Sequence, residues 1–166
     1  CVKKLFIDTF PVLKDNYFIN KDLINFIFDK KISAFNFVNK EFVGMTISSN
    51  LDIFLKVNFF QNKDEIENEI SIFAALIVIL IHELGHFIRI YIFKHLGIKE
   101  YEKSFIFEEN EESEIGRFIE KKLFGRVIEK INLVEAIYIL NIDNFYKKNQ
   151  EEFLNGFINL KMEKSV

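Results

Sequence analysis

The stretch Ile70–Phe93, ISIFAALIVILIHELGHFIRIYIF, decides how this chain folds. Nearly all of its residues are apolar, which predicts a helix that is buried on all sides. Asp64 is suited to cap the start of this helix, and Gly97 is a typical residue just beyond a helix end. We therefore expect one long helix over residues 65–96, with the rest of the chain packed around it.

The middle of this helix carries His82-Glu83-Leu84-Gly85-His86, an H-E-x-x-H pattern. Histidines four residues apart project from one face of a helix, close enough to share a metal ion at about 2.0–2.1 Å. Glu83 is offset by about 100° and can reach a water on the metal without being a ligand, as a general base must. Buried polar groups without partners cost roughly 1–3 kcal/mol each, and a metal would satisfy both histidines. The pattern therefore predicts His82 and His86 as metal ligands and Glu83 as a catalytic base.

At these five residues the chain resembles the active-site helix of the zincin metallopeptidases, in particular the gluzincins. The resemblance implies a Zn²⁺ cofactor, a peptide or protein substrate, and hydrolysis by a metal-activated water with Glu83 as general base. It also implies a third zinc ligand, a glutamate on a later helix. The metzincin pattern would need a histidine at Ile92, so we assign His95 to the helix end rather than to the metal.

A second helix is predicted from Glu114 to Gly125. It resembles the second helix of the gluzincins, in which a glutamate ligand is followed by small and apolar residues and then by Leu-Gly. The alanine and the acidic residue that gluzincins have three and four positions after the ligand are replaced here by Arg117 and Phe118, if Glu114 is the ligand.

Gly116 lies in the first turns of the predicted helix, where a glycine indicates close packing against a neighbour. The natural neighbour is Gly85, so we expect the two helices to touch beside the metal.

This packing would bring a carboxylate of the second helix towards the metal. We favour Glu114 as the third ligand, with Glu120 and Glu112 as alternatives, because a carboxylate is the expected completion of a His₂Glu site. A glutamate that is not a ligand could instead orient one of the histidines.

Two β-rich stretches precede the long helix. Residues 42–48 are rich in strand-forming residues, and residues 51–59 alternate between apolar and polar, as a half-buried strand does. A turn signal separates them, so we expect a hairpin. The predicted fold class is α+β: a small antiparallel sheet followed by the long buried active-site helix and further helices. In zincins an edge strand of such a sheet binds the substrate backbone.

The remaining segments give weaker signals. A short helix is predicted over residues 21–30 and an amphipathic one over 149–160. Residues 126–140 are apolar with mixed periodicity and fit either a strand or a helix. Tyr91, Tyr101 and Tyr138 are candidates for stabilising an oxyanion, with nothing to choose between them.

Length and composition favour one domain over residues 1–166, and the absence of an initial Met leads us to expect that it was excised from a longer chain. A net charge of −3 gives no reason to expect a nucleic-acid partner. The single cysteine, Cys1, excludes an intrachain disulfide and a cysteine-based metal site. With no glycosylation sequon, this composition favours an intracellular location, and the oligomeric state is open.

Two other functions compete with the peptidase. The first is a catalytically inactive zincin-like scaffold that acts as an interaction domain. The second, less favoured, is an intramembrane protease of the site-2 type. The uninterrupted apolar run over residues 70–81 is shorter than the roughly 20 residues that a membrane span needs, so we do not expect a membrane partner.

Overall fold

A computed structural model describes residues 2–14, 32–35, 44–47, 52–56, 66–102 and 114–160. Within these ranges, the environments of the side chains are defined for residues 2–12, 69–94, 96–102 and 114–160. The predicted helix over residues 21–30, the alternative ligand Glu112 and the side chain of His95 lie outside the described parts.

Helices make up most of the described chain. In chain order they are α1 (Val2–Thr9), α2 (Ile66–Leu96), α3 (Ile115–Phe124), α4 (Leu133–Leu140), α5 (Ile142–Tyr146) and α6 (Gln150–Asn159). Two short 3-10 helices, Pro11–Lys14 and Lys99–Tyr101, follow α1 and α2.

Helix α2 is the longest element and the one that α3 and α4 pack against. Its 31 residues begin and end close to the bounds that the apolar run predicts, and Gly97 beyond it adopts φ 67°. A left-handed backbone of this kind stops a helix and is accessible to glycine without a steric penalty. Helices α3 and α4 both lie against α2, and α3 also packs against α6.

The short helices begin at polar caps. Asn132 and Asn149 each form a capping box with the glutamate three residues later, at the starts of α4 and α6. Each box satisfies backbone N–H groups that the first turn of a helix would otherwise leave unpaired. The ambiguous segment over residues 126–140 is therefore a loop followed by a capped helix.

The core lies between these helices. Ile115, Ile119 and Leu123 of α3 are completely buried, because they form one face of that helix at a spacing of three to four residues. The Phe124 ring meets those of Phe153 and Phe157 edge-on, with centroids 5.8 and 5.3 Å apart. These ring contacts hold α6 against α3. Ile115 and Ile119 lie against Gly85 of α2, and this second contact positions the site described below.

Three short strands precede α2: β1 (Ile32–Phe35), β2 (Gly44–Ile47) and β3 (Asp52–Lys56). Their order is β1-β3-β2, with β1 parallel and β2 antiparallel to β3. Ile32 pairs with Ile53, and Gly44 pairs with Leu55.

The predicted α+β fold with a small antiparallel sheet is wrong, because the described chain is mainly helical and its three short strands form a mixed sheet, with β1 parallel to β3. Among the residues whose side-chain environments are defined, every residue of the main hydrophobic core lies in a helix or next to one. The alternation of apolar and polar residues over 51–59 predicts a strand, but it does not predict which elements pack against α2. Helices α3 and α4 make most of the contacts with α2, and strands β2 and β3 also lie against it.

Candidate metal site

Helix α2 presents both predicted histidines on one face. The imidazole rings of His82 and His86 have centroids 5.2 Å apart, and each side chain is about one-fifth exposed. The four-residue spacing produces this arrangement, because it brings two side chains onto successive turns of one helix. Glu83, next to His82, is buried with 6% of its surface exposed.

Glu114 faces both histidines from the start of α3. Its Oε1 atom lies 2.5 Å from Nε2 of His86, and its Oε2 atom lies 3.4 Å from Nε2 of His82. The same carboxylate caps α3, since it accepts hydrogen bonds from the backbone N–H groups of Gly116 and Arg117 at 2.7 and 2.9 Å. The helix start therefore fixes Glu114 in front of the two rings.

Glu120 holds the far side of His82. The distance from Nδ1 of His82 to Oε1 of Glu120 is 2.6 Å, and the other oxygen of Glu120 accepts the backbone N–H of Ile128 at 2.7 Å. When Nδ1 carries the proton and donates it to Glu120, Nε2 of the neutral ring is left with the lone pair that a metal requires. Glu120 is thus placed to orient His82 and lies outside the group of ligand atoms.

Two glycines allow α3 to approach this closely. A Cβ atom at Gly116 would overlap the ring of His82, and one at Gly85 would lie 2.5 Å from the side chain of Ile119. The expected close packing of the two helices is present. The partners differ from the expectation, because Gly116 lies against His82, whereas Gly85 lies against Ile119 and Ile115 of α3.

The charges at this site favour the ionised forms of Glu114 and His82. Burial lowers the pKa of His82, but the hydrogen bond with Glu120 and the negative charge of Glu114 outweigh this effect, so its pKa lies above the usual 6.5. Burial raises the pKa of Glu114, but the hydrogen bond with His86 and the charge of His82 bring it down to about 2. In the metal-free protein, the Glu114 carboxylate and the protonated ring of His82 therefore stabilise each other as an ion cluster.

The donor set fits a divalent transition metal. One ligand atom from each of His82, His86 and Glu114 lies within 4.8 Å of the others. Two imidazoles and one carboxylate suit zinc and also several other metals, so the donors alone do not identify the ion. That these three residues are ligands, and that Glu83 is a base, remains a prediction.

The candidate oxyanion residues have other contacts. The Tyr138 hydroxyl donates to the backbone carbonyl of Phe153 at 2.9 Å. Tyr101 is buried, with its ring centroid 5.9 Å from that of Phe10, and Tyr91 stacks on Phe87 at 6.3 Å. Burial raises the pKa of both Tyr91 and Tyr101. None of the three tyrosines is assigned to the site.

Sequence reasoning did not single out two residues that shape the site. One is Ile128, whose backbone N–H anchors Glu120, and a backbone donor gives no signal in a sequence. The other is Arg89, whose Nη1 atom donates to the carbonyls of Tyr101 and Glu102 at 2.7 and 2.8 Å. Burial lowers the pKa of Arg89 and the charge of Glu114 raises it, so the guanidinium lies within electrostatic reach of the cluster. The position of Arg89 one helical turn after His86 is the sequence signal that places it near the cluster.

Among the described helices, one is long and apolar enough to cross a membrane, over Glu69–Lys94. The core helix of a soluble protein meets the same criteria of length and composition, so this is weak evidence. The polar group His82, Glu83 and His86 lies within that stretch.

Comparison with known proteins adds no relative. The chain matches no protein-family model, no curated protein and no solved structure. What can be said of its function therefore depends on the site itself.

Proposed function

We propose that this protein is a zinc-dependent hydrolase of peptide bonds. His82, His86 and Glu114 would hold the metal, and Glu83 would act as general base. One observation carries the proposal: the Nε2 atoms of His82 and His86 both face the carboxylate of Glu114. The buried Glu83 lies beside them in the H-E-x-x-H segment. The resemblance of that segment to the zincins concerns the active-site helix alone, because the predicted zincin-like fold class is wrong.

A zinc ion bound by this donor set would lower the pKa of a bound water to about 7 and polarise a substrate carbonyl. The residues of the chain then divide the remaining work. Glu83 accepts a proton from the attacking water, whose oxygen bonds to the carbonyl carbon. Glu83 then gives the proton to the amine nitrogen as the carbon–nitrogen bond breaks. Glu120 keeps the ring of His82 in one orientation throughout.

The test combines metal content with turnover. We expect about one zinc per chain in the wild type, and its loss in His82→Ala and Glu114→Ala. Glu83→Gln should keep the zinc and lose about 10²–10⁴-fold in hydrolysis of a quenched-fluorescent peptide library. Glu151→Gln, an exposed glutamate on α6, is the matched control and should behave as the wild type. Full activity in Glu83→Gln would rule out this mechanism.

One observation favours a second candidate, a scaffold without turnover. Each oxygen of Glu114 already accepts a backbone N–H of α3 and faces one histidine, so the cluster is satisfied without any metal. On this alternative, the cluster would serve to join α2 and α3. A wild-type protein that takes up no zinc when zinc is added would favour the scaffold.

A further inference from the structure

A groove of about 390 Å³ lies along α2 on the N-terminal side of His82. The helix supplies one wall, and the loop between α3 and α4 supplies the other. The aliphatic lining residues are Ile72, Ala75, Val78, Ile79, Ile128 and Ile131.

The groove lies about one helical turn from the histidine face of α2, and His82 and His86 are not among its lining residues. Ala75, Ile79, His82 and His86 are spaced by three or four residues, which places them in one row along the helix. Ile79 is one turn before both His82 and Glu83, a rise of about 4.5–6 Å. A chain bound at the histidines would therefore have its neighbouring side chain over the groove.

Glu120 ties the loop wall to the same histidine. It accepts the N–H of Ile128 with one oxygen and holds Nδ1 of His82 with the other. Glu120 is 5% exposed, so this connection is shielded from water. The wall of the groove and the orientation of the imidazole are thus set by one buried carboxylate.

The chemistry of the lining selects the occupant. Besides the aliphatic residues, the lining includes Ser71 and one charge of each sign, from Glu129 and Lys130, so it has no net attraction for a charged group. The volume is at the lower end of the range for small-molecule pockets and accommodates a large side chain. We propose that the groove binds an aliphatic or aromatic side chain of the peptide held at the metal site. This inference deepens the proposed function and rests on it.

Binding can be measured apart from turnover in zinc-loaded Glu83→Gln protein. The probes are fluorescently labelled peptides Gly-Gly-X-Gly-Gly, in which X is Leu, Phe or Ser, followed by fluorescence anisotropy. Burial of a large apolar side chain predicts binding of the Leu and Phe peptides about tenfold tighter than the Ser peptide. In the same background, Ala75→Phe should fill the groove and abolish this preference, with zinc content unchanged. Phe73→Ala is the control, because Phe73 is 56% exposed and does not line the groove.

Ile131→Ala provides an independent variant from the loop wall, and it should reduce the preference without filling the groove. Circular dichroism verifies that each variant is folded. Equal affinity for the three peptides, or a preference unchanged in both groove variants, would overturn the proposal. A preference that depends on Ala75 in a protein whose wild type cleaves no peptide would uphold the groove and reject the peptidase. Cleavage of peptides by the wild type, with no preference for X, would uphold the peptidase and reject the groove.

Discussion

The carboxylate of Glu120 holds His82 through Nδ1 at 2.6 Å and thereby decides which ring nitrogen faces Glu114. We expect Glu120→Ala to weaken zinc binding about 10–100-fold, because an imidazole without this partner loses its fixed orientation. Glu120→Gln retains one acceptor and should fall between Ala and the wild type. Zinc affinity can be measured by competition with a chelator, with Glu151→Gln as the control. Wild-type affinity in Glu120→Ala would show that the contact does not orient the ligand.

Gly116 leaves space for the ring of His82, since a Cβ atom at this position would overlap it. Gly116→Ala should therefore displace the imidazole or push α3 away from α2, and it should lower both zinc affinity and thermal stability. Alanine is otherwise the better helix former by about 1 kcal/mol, so a loss of stability would come from the contact alone. Arg117→Ala, at the exposed next position, is the control for composition. A Gly116→Ala protein that is more stable and binds zinc normally would contradict this packing.

Glu114 has two tasks, capping α3 and facing the histidines. Without zinc, Glu114→Ala should cost at least the roughly 0.5–2 kcal/mol of unfolding free energy that is usual for a lost cap, because the contacts with His82 and His86 are lost as well. With saturating zinc, the difference from the wild type should widen, because only the wild type gains binding energy on folding. Asn132→Ala removes a comparable cap from α4 and should give the same difference with and without zinc. Urea titrations of the three proteins test this.

The ion cluster predicts a pH window for the stability of the metal-free protein. The pKa of Glu114 is lowered from 4.5 to about 2, so its contribution is present above pH 4.5 and is lost as the pH falls towards 2. The pKa of His82 is raised from 6.5, so its contribution is present below pH 6.5 and is lost as the pH rises through the raised value. Both contributions are complete between about pH 4.5 and 6.5.

The variant His82→Gln makes this window measurable. The stability advantage of the metal-free wild type over this variant should be largest near pH 5.5 and smaller at both pH 3 and pH 8.5. Urea titrations at the three values give the comparison. An advantage that grows from pH 5.5 to pH 8.5 would show that the pKa of His82 is not raised in the folded protein.

The bounds of the helices could be predicted from the sequence more accurately than the way in which the helices pack together. The apolar run and Gly97 mark the extent of α2, and the step from Glu114 to Gly125 marks α3, because caps and stops are local chemistry. Periodicity says which side of an element is apolar and does not say which element covers it. In the structure α3 and α4 cover most of α2, and β2 and β3 also contact it.

The site was predictable where it depends on helix geometry and not where it depends on packing. The four-residue spacing alone places His82 and His86 together. Which of Glu112, Glu114 and Glu120 lies near the two histidines depends on how α3 packs against α2, and the sequence does not give that packing. In the structure Glu114 joins the group of potential ligand atoms, Glu120 binds the opposite side of His82, and Glu112 lies outside the described residues. The role of the Ile128 N–H depends on a loop conformation that no pattern of side chains encodes.

The fit of Gly116 against His82 also gives a way to search for relatives of this chain. Two short segments must occur together: H-E-x-G-H on one helix, and E-x-G-x-x-x-E at the start of a later one, from Glu114 to Glu120. The first segment alone is short enough to arise by chance. The second segment adds a glycine position at which the imidazole of His82 leaves no room for a side chain. It also adds two glutamates that contact different atoms of the histidines. A genome search for the pair, with a free spacing between the segments, would retrieve proteins that share this site even where their overall sequences have diverged beyond alignment.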